Sequence, residues 1–124
     1  MKELTKAEAQ IMQVLWQLKK GFVNDIMDEL SEPKPAYSTV STIVRILEKK
    51  GFVGHKSYGK THEYYPLIQK KAYTTKFLQH FTLNYFNNSF PQLASCLVKD
   101  KNISLKELEE IKLLIEEEMQ KKSV

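Results

Sequence analysis

Apolar residues recur at helical spacing from the start of the chain: Leu4, Ala7, Ile11, Val14, Leu15 and Leu18. Thr5-Lys6-Ala7-Glu8 forms a T-x-x-E capping box at the head of this helix. Lys19 and Lys20 suit its C-terminal end, and Gly21 suits the position just past it. Phe22-Val23 is a short apolar pair, expected to make an isolated strand pairing. Asn24 is expected to cap a short acidic helix, Asp25 to Leu30, ended by Pro33 and Pro35.

The third helix, Ser38 to Lys50, divides cleanly. Val40, Ile43, Val44 and Leu47 fall on one side, and Ser38, Ser41, Thr42, Arg45 and Lys49 on the other. The apolar side must dock on the first two helices. The polar side surrounds the chain's only arginine with small hydroxyls and holds no acid. An ordinary solvent face is richer in Glu and Lys. Small polar groups around an Arg let a helix approach DNA closely, with hydroxyls for phosphates and a guanidinium for guanine. Gly51 closes the helix. Two strand-like runs follow, Phe52 to Lys56 and Thr61 to Tyr65, around a Ser57-Tyr58-Gly59-Lys60 turn. Three helices and a basic-tipped hairpin are the order of a winged helix-turn-helix, with Lys56 and Lys60 on the wing beside the groove.

After Pro66 the pattern changes. Tyr73, Phe77, Phe81 and Tyr85 step by four along one helical face, and six of the chain's thirteen aromatics lie in 73–90. Asn87-Asn88-Ser89 marks a break, and Pro91 starts a short helix to Val98. Ser104-Leu105-Lys106-Glu107 is a second capping box. Leu105, Leu108, Ile111, Ile115 and Met119 form a stripe on the last helix, with Leu113 and Leu114 off it. Such helices need a partner surface, and a second copy supplies one more readily than fold-back on the first domain. The expected architecture is mainly α with a small β-hairpin wing: a winged helix-turn-helix over 1–68 and a helical dimerisation region over 69–124.

Charge sharpens the picture. The chain carries 19 basic and 15 acidic side chains, net +4. Residues 24–33 hold four acids and no base, whereas 34–62 hold six bases (Lys34, Arg45, Lys49, Lys50, Lys56, Lys60) against Glu48. This step places a basic face on one side of a small domain. No apolar run nears the roughly 18 residues of a membrane span, and no apolar signal core opens the chain. One cysteine, Cys96, leaves no intrachain disulfide. A cytoplasmic setting without membrane insertion is expected.

Enzyme signatures are missing: no phosphate loop, dinucleotide fingerprint, nucleophile elbow or H-E-x-x-H. No cofactor is implied. His55 and His62 become cross-strand neighbours if the hairpin turns at Tyr58-Gly59. Phosphate contact or plain strand pairing is favoured over a metal, which needs further ligands. His80, beside Phe77, Phe81 and Asn84, reads as a packed or interface histidine. Cys96, flanked by apolar residues, reads as a buried inert thiol. Two other functions stay open: a winged-helix module for protein contacts, and a metal- or redox-gated regulator.

The chain resembles the BlaI/MecI penicillinase-repressor family. The resemblance is carried by LTKAEAQIMQVLW at the start and by Tyr37-Ser38-Thr39-Val40-Ser41-Thr42-Ile43. Leu47-Glu48-Lys49-Lys50-Gly51-Phe52-Val53, Glu63-Tyr64-Tyr65 and the run Leu105 to Glu118 extend it. It implies a homodimeric repressor on a palindromic operator, with Thr39, Ser41, Thr42 and Arg45 facing DNA. At Ser41 some relatives carry a base. The expected DNA contacts are therefore Ser38, Thr39, Ser41, Thr42, Arg45, Lys49, Lys56 and Lys60. The expected dimer contacts are Tyr73, Phe77, Phe81, Leu108, Ile111, Leu114 and Ile115. The resemblance also implies derepression by a membrane sensor-transducer metalloprotease that cuts in the dimerisation region. This chain has Cys96-Leu97 where the family has an Asn-Phe scissile bond. A copper-responsive branch carries a C-terminal cysteine cluster, and residues 99–124 hold none.

Overall fold

The computed structural model describes residues 2–123. Its element order is α1 (Lys6–Leu18), α2 (Val23–Glu29), α3 (Tyr37–Lys49), β1 (Val53–Tyr58), β2 (Thr61–Pro66), α4 (Lys70–Tyr85), α5 (Phe90–Val98) and α6 (Leu105–Lys122). The chain divides into two compact units, 1–78 and 79–124, with the boundary inside α4.

The first unit has one apolar core. Ile11, Met12 and Leu15 of α1, Ile26 of α2, Val40, Val44 and Leu47 of α3, and Phe52 and Val53 are all buried. Met12 completes this core, whereas Ala7, expected on the inner face of α1, is exposed. Tyr64 of β2 closes the core from the hairpin side. The unit extends into α4 because Tyr73 packs back on this core. Its ring lies 5.7 Å from Phe52 and 6.0 Å from Trp16, and its hydroxyl accepts the Leu4 N–H at 3.0 Å. Trp16 Nε1–H donates to the Ile68 carbonyl at 2.9 Å. Tyr73 therefore serves the first unit's own core rather than an open aromatic face.

Several local expectations are corrected. The left-handed residue ending α1 is Lys19, φ 73°, and not Gly21. Gly21 makes the isolated bridge instead, pairing with Tyr64 through bonds of 2.9 and 2.8 Å. Phe22-Val23 is thus no strand: Phe22 caps α2, and Val23 begins it. Asn24 is not the cap; the Asp25 carboxylate reaches back to accept the Phe22 N–H at 2.9 Å. At the other end of α2, Lys34 Nζ donates to the carbonyls of Met27 and Asp28 at 2.8 and 3.2 Å.

The hairpin pairs β1 with β2 antiparallel, from Val53↔Pro66 to Tyr58↔Thr61. Gly59-Lys60 is the turn, with Gly59 at φ +63°. Positive φ at the first central residue alone is the II′ pattern, in which glycine is unstrained.

In the second unit, Asn87 and Asn88 both adopt the left-handed region, at φ 51° and 60°. Their short polar side chains tolerate it, and they turn the chain between helices. Ser89 caps α5 by accepting the Gln92 N–H at 3.2 Å. Ser104 and Glu107 form the expected capping box on α6, and those bonds lower the Glu107 pKa. Cys96 is exposed in this chain, contrary to the expected buried thiol. Leu97 beside it is 56% accessible, whereas Leu93 and Val98 are half-buried.

Glu8 is the buried acid of the fold. Its carboxylate accepts the Thr5 N–H at 2.8 Å and Lys50 Nζ at 2.9 and 2.8 Å, and its side chain is 5% exposed. Burial pushes its pKa up, but the Lys50 and Thr5 bonds outweigh burial and leave it lowered. A lowered folded-state pKa stabilises above the ordinary carboxylate value and loses that contribution as pH falls through the lowered one. Lys50→Met should therefore cost about 3 kcal/mol at neutral pH, by stranding a buried carboxylate. The gap to the native chain should narrow as pH falls, because the stranded carboxylate of the variant takes up a proton and the native pair loses its contribution. Denaturant unfolding from pH 7 to pH 3 checks this; a gap independent of pH would refute it.

Candidate nucleic-acid interface

The outward face of α3 is built by its inward one. Val40, Val44 and Leu47 anchor the helix, so Ser38, Thr39, Thr42, Arg45 and Lys49 project outward and are exposed. Ser41 is half-buried on the same side. Thr42 Oγ1 donates back to the Ser38 carbonyl at 2.9 Å. That bond fixes the hydroxyl rotamer and leaves its lone pairs outward. Arg45 Nη2 donates to Ser41 Oγ at 3.2 Å, which holds the guanidinium along the helix. Its other donors stay available to a planar acceptor pair.

Of the six bases in 34–62, the structure uses two internally. Lys34 closes α2 and Lys50 neutralises Glu8. Arg45, Lys49, Lys56 and Lys60 have no acidic partner among the described residues. Lys56 Nζ lies 5.3 Å over the Tyr58 ring, which holds it on the wing, and Lys60 stands at the wing's tip. Two cations thus come from α3 and two from the hairpin. Glu48, the one acid of the stretch, is joined to His55 Nδ1.

His55 and His62 meet, but not as a direct pair. The turn lies one residue further along than expected, so His55 pairs with Tyr64 and Ser57 with His62. The two rings sit diagonally on one sheet face and stack at 4.2 Å, 9° from parallel. No group of three or more metal-ligating side chains exists among the described residues. Tyr64 lies against both rings. Burial first, then the Glu48 charge, raises its hydroxyl pKa, while Arg45 acts the other way.

The dimer candidates are distributed differently. Phe77 is exposed and neighbours Tyr73 at 6.2 Å in the first unit. In the second, Phe81 packs on Tyr85 and Phe86 at 5.0 and 5.8 Å. Leu108 and Ile111 are half-buried, and Leu114 and Ile115 are exposed. No helix of the described residues is long and apolar enough to cross a membrane.

A helix with an outward face of hydroxyls and one guanidinium, seated on an apolar core and followed by a basic hairpin, defines a winged helix-turn-helix protein. The model of the penicillinase repressor family matches residues 4–117, and the chain belongs to that family. It is similar to the methicillin resistance regulatory protein MecI of Staphylococcus aureus, 27% identical over 114 residues, or 91% of this chain and 93% of that one. It is also similar to the penicillinase repressor of Bacillus licheniformis, 24% identical over 121 residues, 97% and 94% of the two chains. Among solved structures, the DNA-binding domain of the repressor BlaI matches with a TM-score of 0.50 and 30% identity, over 59% of this chain and 94% of that one.

Arg45 and Lys60 should separate base reading from backbone contact. Arg45→Ala should cost about 1–3 kcal/mol on a specific duplex and little on random DNA. Lys60→Ala should weaken both equally and reduce the slope of log affinity against log salt by about 0.9. Titrations of both duplexes at several salt concentrations check this. Equal losses for Arg45→Ala on specific and random DNA would refute the base-reading role.

Proposed function

We infer that the chain is a DNA-binding transcriptional repressor that acts as a homodimer on a palindromic operator. The observation that carries this reading is the outer face of α3. Hydroxyls, one guanidinium and Lys49 stand there, with Glu48, the acid of the helix, engaged by His55, while Lys56 and Lys60 lie on the wing. α3 would enter the major groove with Ser38, Thr39, Ser41, Thr42 and Arg45 at base edges and nearby phosphates. Lys49, Lys56 and Lys60 would neutralise flanking backbone. The winged-helix module for protein contacts is the weaker reading, because its working surface would not need hydroxyls around a lone arginine on α3.

Dimerisation is supported by the second unit's surface. α6 exposes Leu105, Leu113, Leu114, Ile115 and Met119, each more than half accessible. A solitary helix exposing that many large apolar groups is an interface awaiting a partner. Full burial of each is worth about 1.5–3 kcal/mol. The half-sites would then lie about one helical turn, or a multiple, apart.

Derepression would follow from damage to this region. α5 presents Cys96 and Leu97 to solvent, and a nine-residue helix opens easily. A membrane sensor-transducer metalloprotease fits this role. Entry of an active-site cleft requires that local opening, which dimer packing would oppose.

Two experiments test the proposal. Purified protein mixed with sheared DNA of its source should retain discrete palindromic sites, lost with Arg45→Ala and with the monomerising pair Leu114→Lys/Ile115→Lys. Sedimentation should show that pair as a monomer. Diffuse enrichment equal in all three proteins would sink the repressor reading. For induction, the chain recovered from induced cells should be cut near residues 96–97. An intact chain with the operator vacated would exclude cleavage.

A further inference from the structure

The structure joins the wing to α3 at one polar point, and the repressor reading leaves that point without a role. His55 of β1 bonds through Nδ1 to Glu48 of α3, with side chains about a third exposed. His62 of β2 stacks on His55 at 4.2 Å. Three side chains from three elements therefore meet where the hairpin leaves the helix. Lys56 and Glu63 alternate to the opposite sheet face. Glu48 of α3 and Tyr64 of β2 lie against the imidazoles, and Arg45 and Tyr37 of α3 act electrostatically on that tyrosine in turn.

The chemistry of this arrangement is directional. A carboxylate accepting at Nδ1 fixes that nitrogen as the donor, so a further proton on His55 goes to Nε2. With that proton in place the contact to Glu48 becomes a charge-assisted hydrogen bond. Two imidazolium rings at stacking distance repel, so the pair accepts one proton more readily than two. A positive charge gained here lies between the two groups of cations proposed to meet phosphates.

We propose that Glu48, His55 and His62 are wing-positioning residues, in which one proton taken up by the stacked imidazoles braces the hairpin against α3 and is drawn in when DNA binds. This rests on the repressor reading. DNA phosphates favour the protonated state, and by linkage the protonated state favours DNA. Affinity therefore rises as pH falls through the range in which imidazoles titrate.

The test is affinity for a duplex carrying a site captured as above, at pH 6, 7 and 8 and constant salt. The native dimer should bind up to about a hundredfold more tightly per pH unit lowered, the limit for one proton in each of its two chains. Glu48→Gln keeps an acceptor for Nδ1–H but removes the charge, and should flatten the profile. His55→Gln and His62→Gln should flatten it too, with thermal unfolding at each pH confirming the fold. The chain has three histidines, so His80→Gln is the matched control and should leave the profile as steep as native. A pH-independent native affinity, or profiles as steep in the Glu48 and His55 variants, overturns the brace alone. A native chain that holds no discrete site at any pH overturns the repressor reading, and the brace with it.

Discussion

The orientation of α3 depends on a buried carboxylate. The apolar contacts of Val40, Val44 and Leu47 press the helix onto the core, but such contacts are non-directional and tolerate sliding. Glu8 removes that freedom. It is the third residue of α1, already tied to Thr5, and it takes Lys50 at both oxygens just where α3 ends. The pair fixes the beginning of one helix to the end of another. Gly51, at φ 85°, then turns the chain directly into the hairpin. A shift of Lys50 would move the exposed face of α3 and the departure point of the wing together. Replacing a buried ion pair by apolar groups often stabilises a protein. What Glu8 and Lys50 supply is a single register.

A second tie sets the wing from the opposite side. Gly21 bonds Tyr64 in both directions, so the corner between α1 and α2 acts as a third, one-residue strand. Tyr64 then fills the core beneath the hairpin while its neighbours His62 and Tyr65 stay accessible to differing degrees. The wing is thus held by backbone at Gly21, by packing at Tyr64 and by a side-chain contact at Glu48. Its tip, Gly59-Lys60, carries none of these restraints. A stiff base and a loose basic tip suit backbone contact, where charge placement matters more than hydrogen-bond geometry.

Much of this was legible in the sequence, and what was not shares one cause. The capping boxes at Thr5 and Ser104, the two-sided α3, the hairpin and the Asn87-Asn88 break are local patterns, and local patterns are written in adjacent residues. The missed features are set by partners distant in sequence. Glu8 and Lys50 read as surface charges until they meet across 42 positions. Lys34 reads as part of a basic face but closes α2. Gly21 reads as a helix end because glycine tolerates left-handed geometry. Its use in the bridge to Tyr64 leaves that conformation to Lys19. The hairpin register shifted because Gly59 occupies the first turn position and not the second, and the histidines became diagonal. Tyr73 continued an aromatic ladder in sequence, yet Trp16 and Phe52 claim its ring.

Internal pairing lowers the charge that the basic stretch offers to a duplex. Counting charges gives 34–62 a net +5, but internal use of Lys34 and Lys50 leaves four unpaired cations. Those four are divided evenly between α3 and the hairpin, and the acidic Asp25, Asp28, Glu29 and Glu32 belong to α2 and the loop after it. A smaller positive patch with acids on a separate element is a weaker glue for DNA at large. It is a better guide to orientation, because a duplex approaching the acidic side is repelled. On the proposed reading, selectivity would come from the few hydroxyls and the single arginine on α3, since the cations would meet every sequence alike. A pair of such domains would double the readout without raising the non-specific attraction of either. The proposed dimer would therefore do for specificity what further lysines could not.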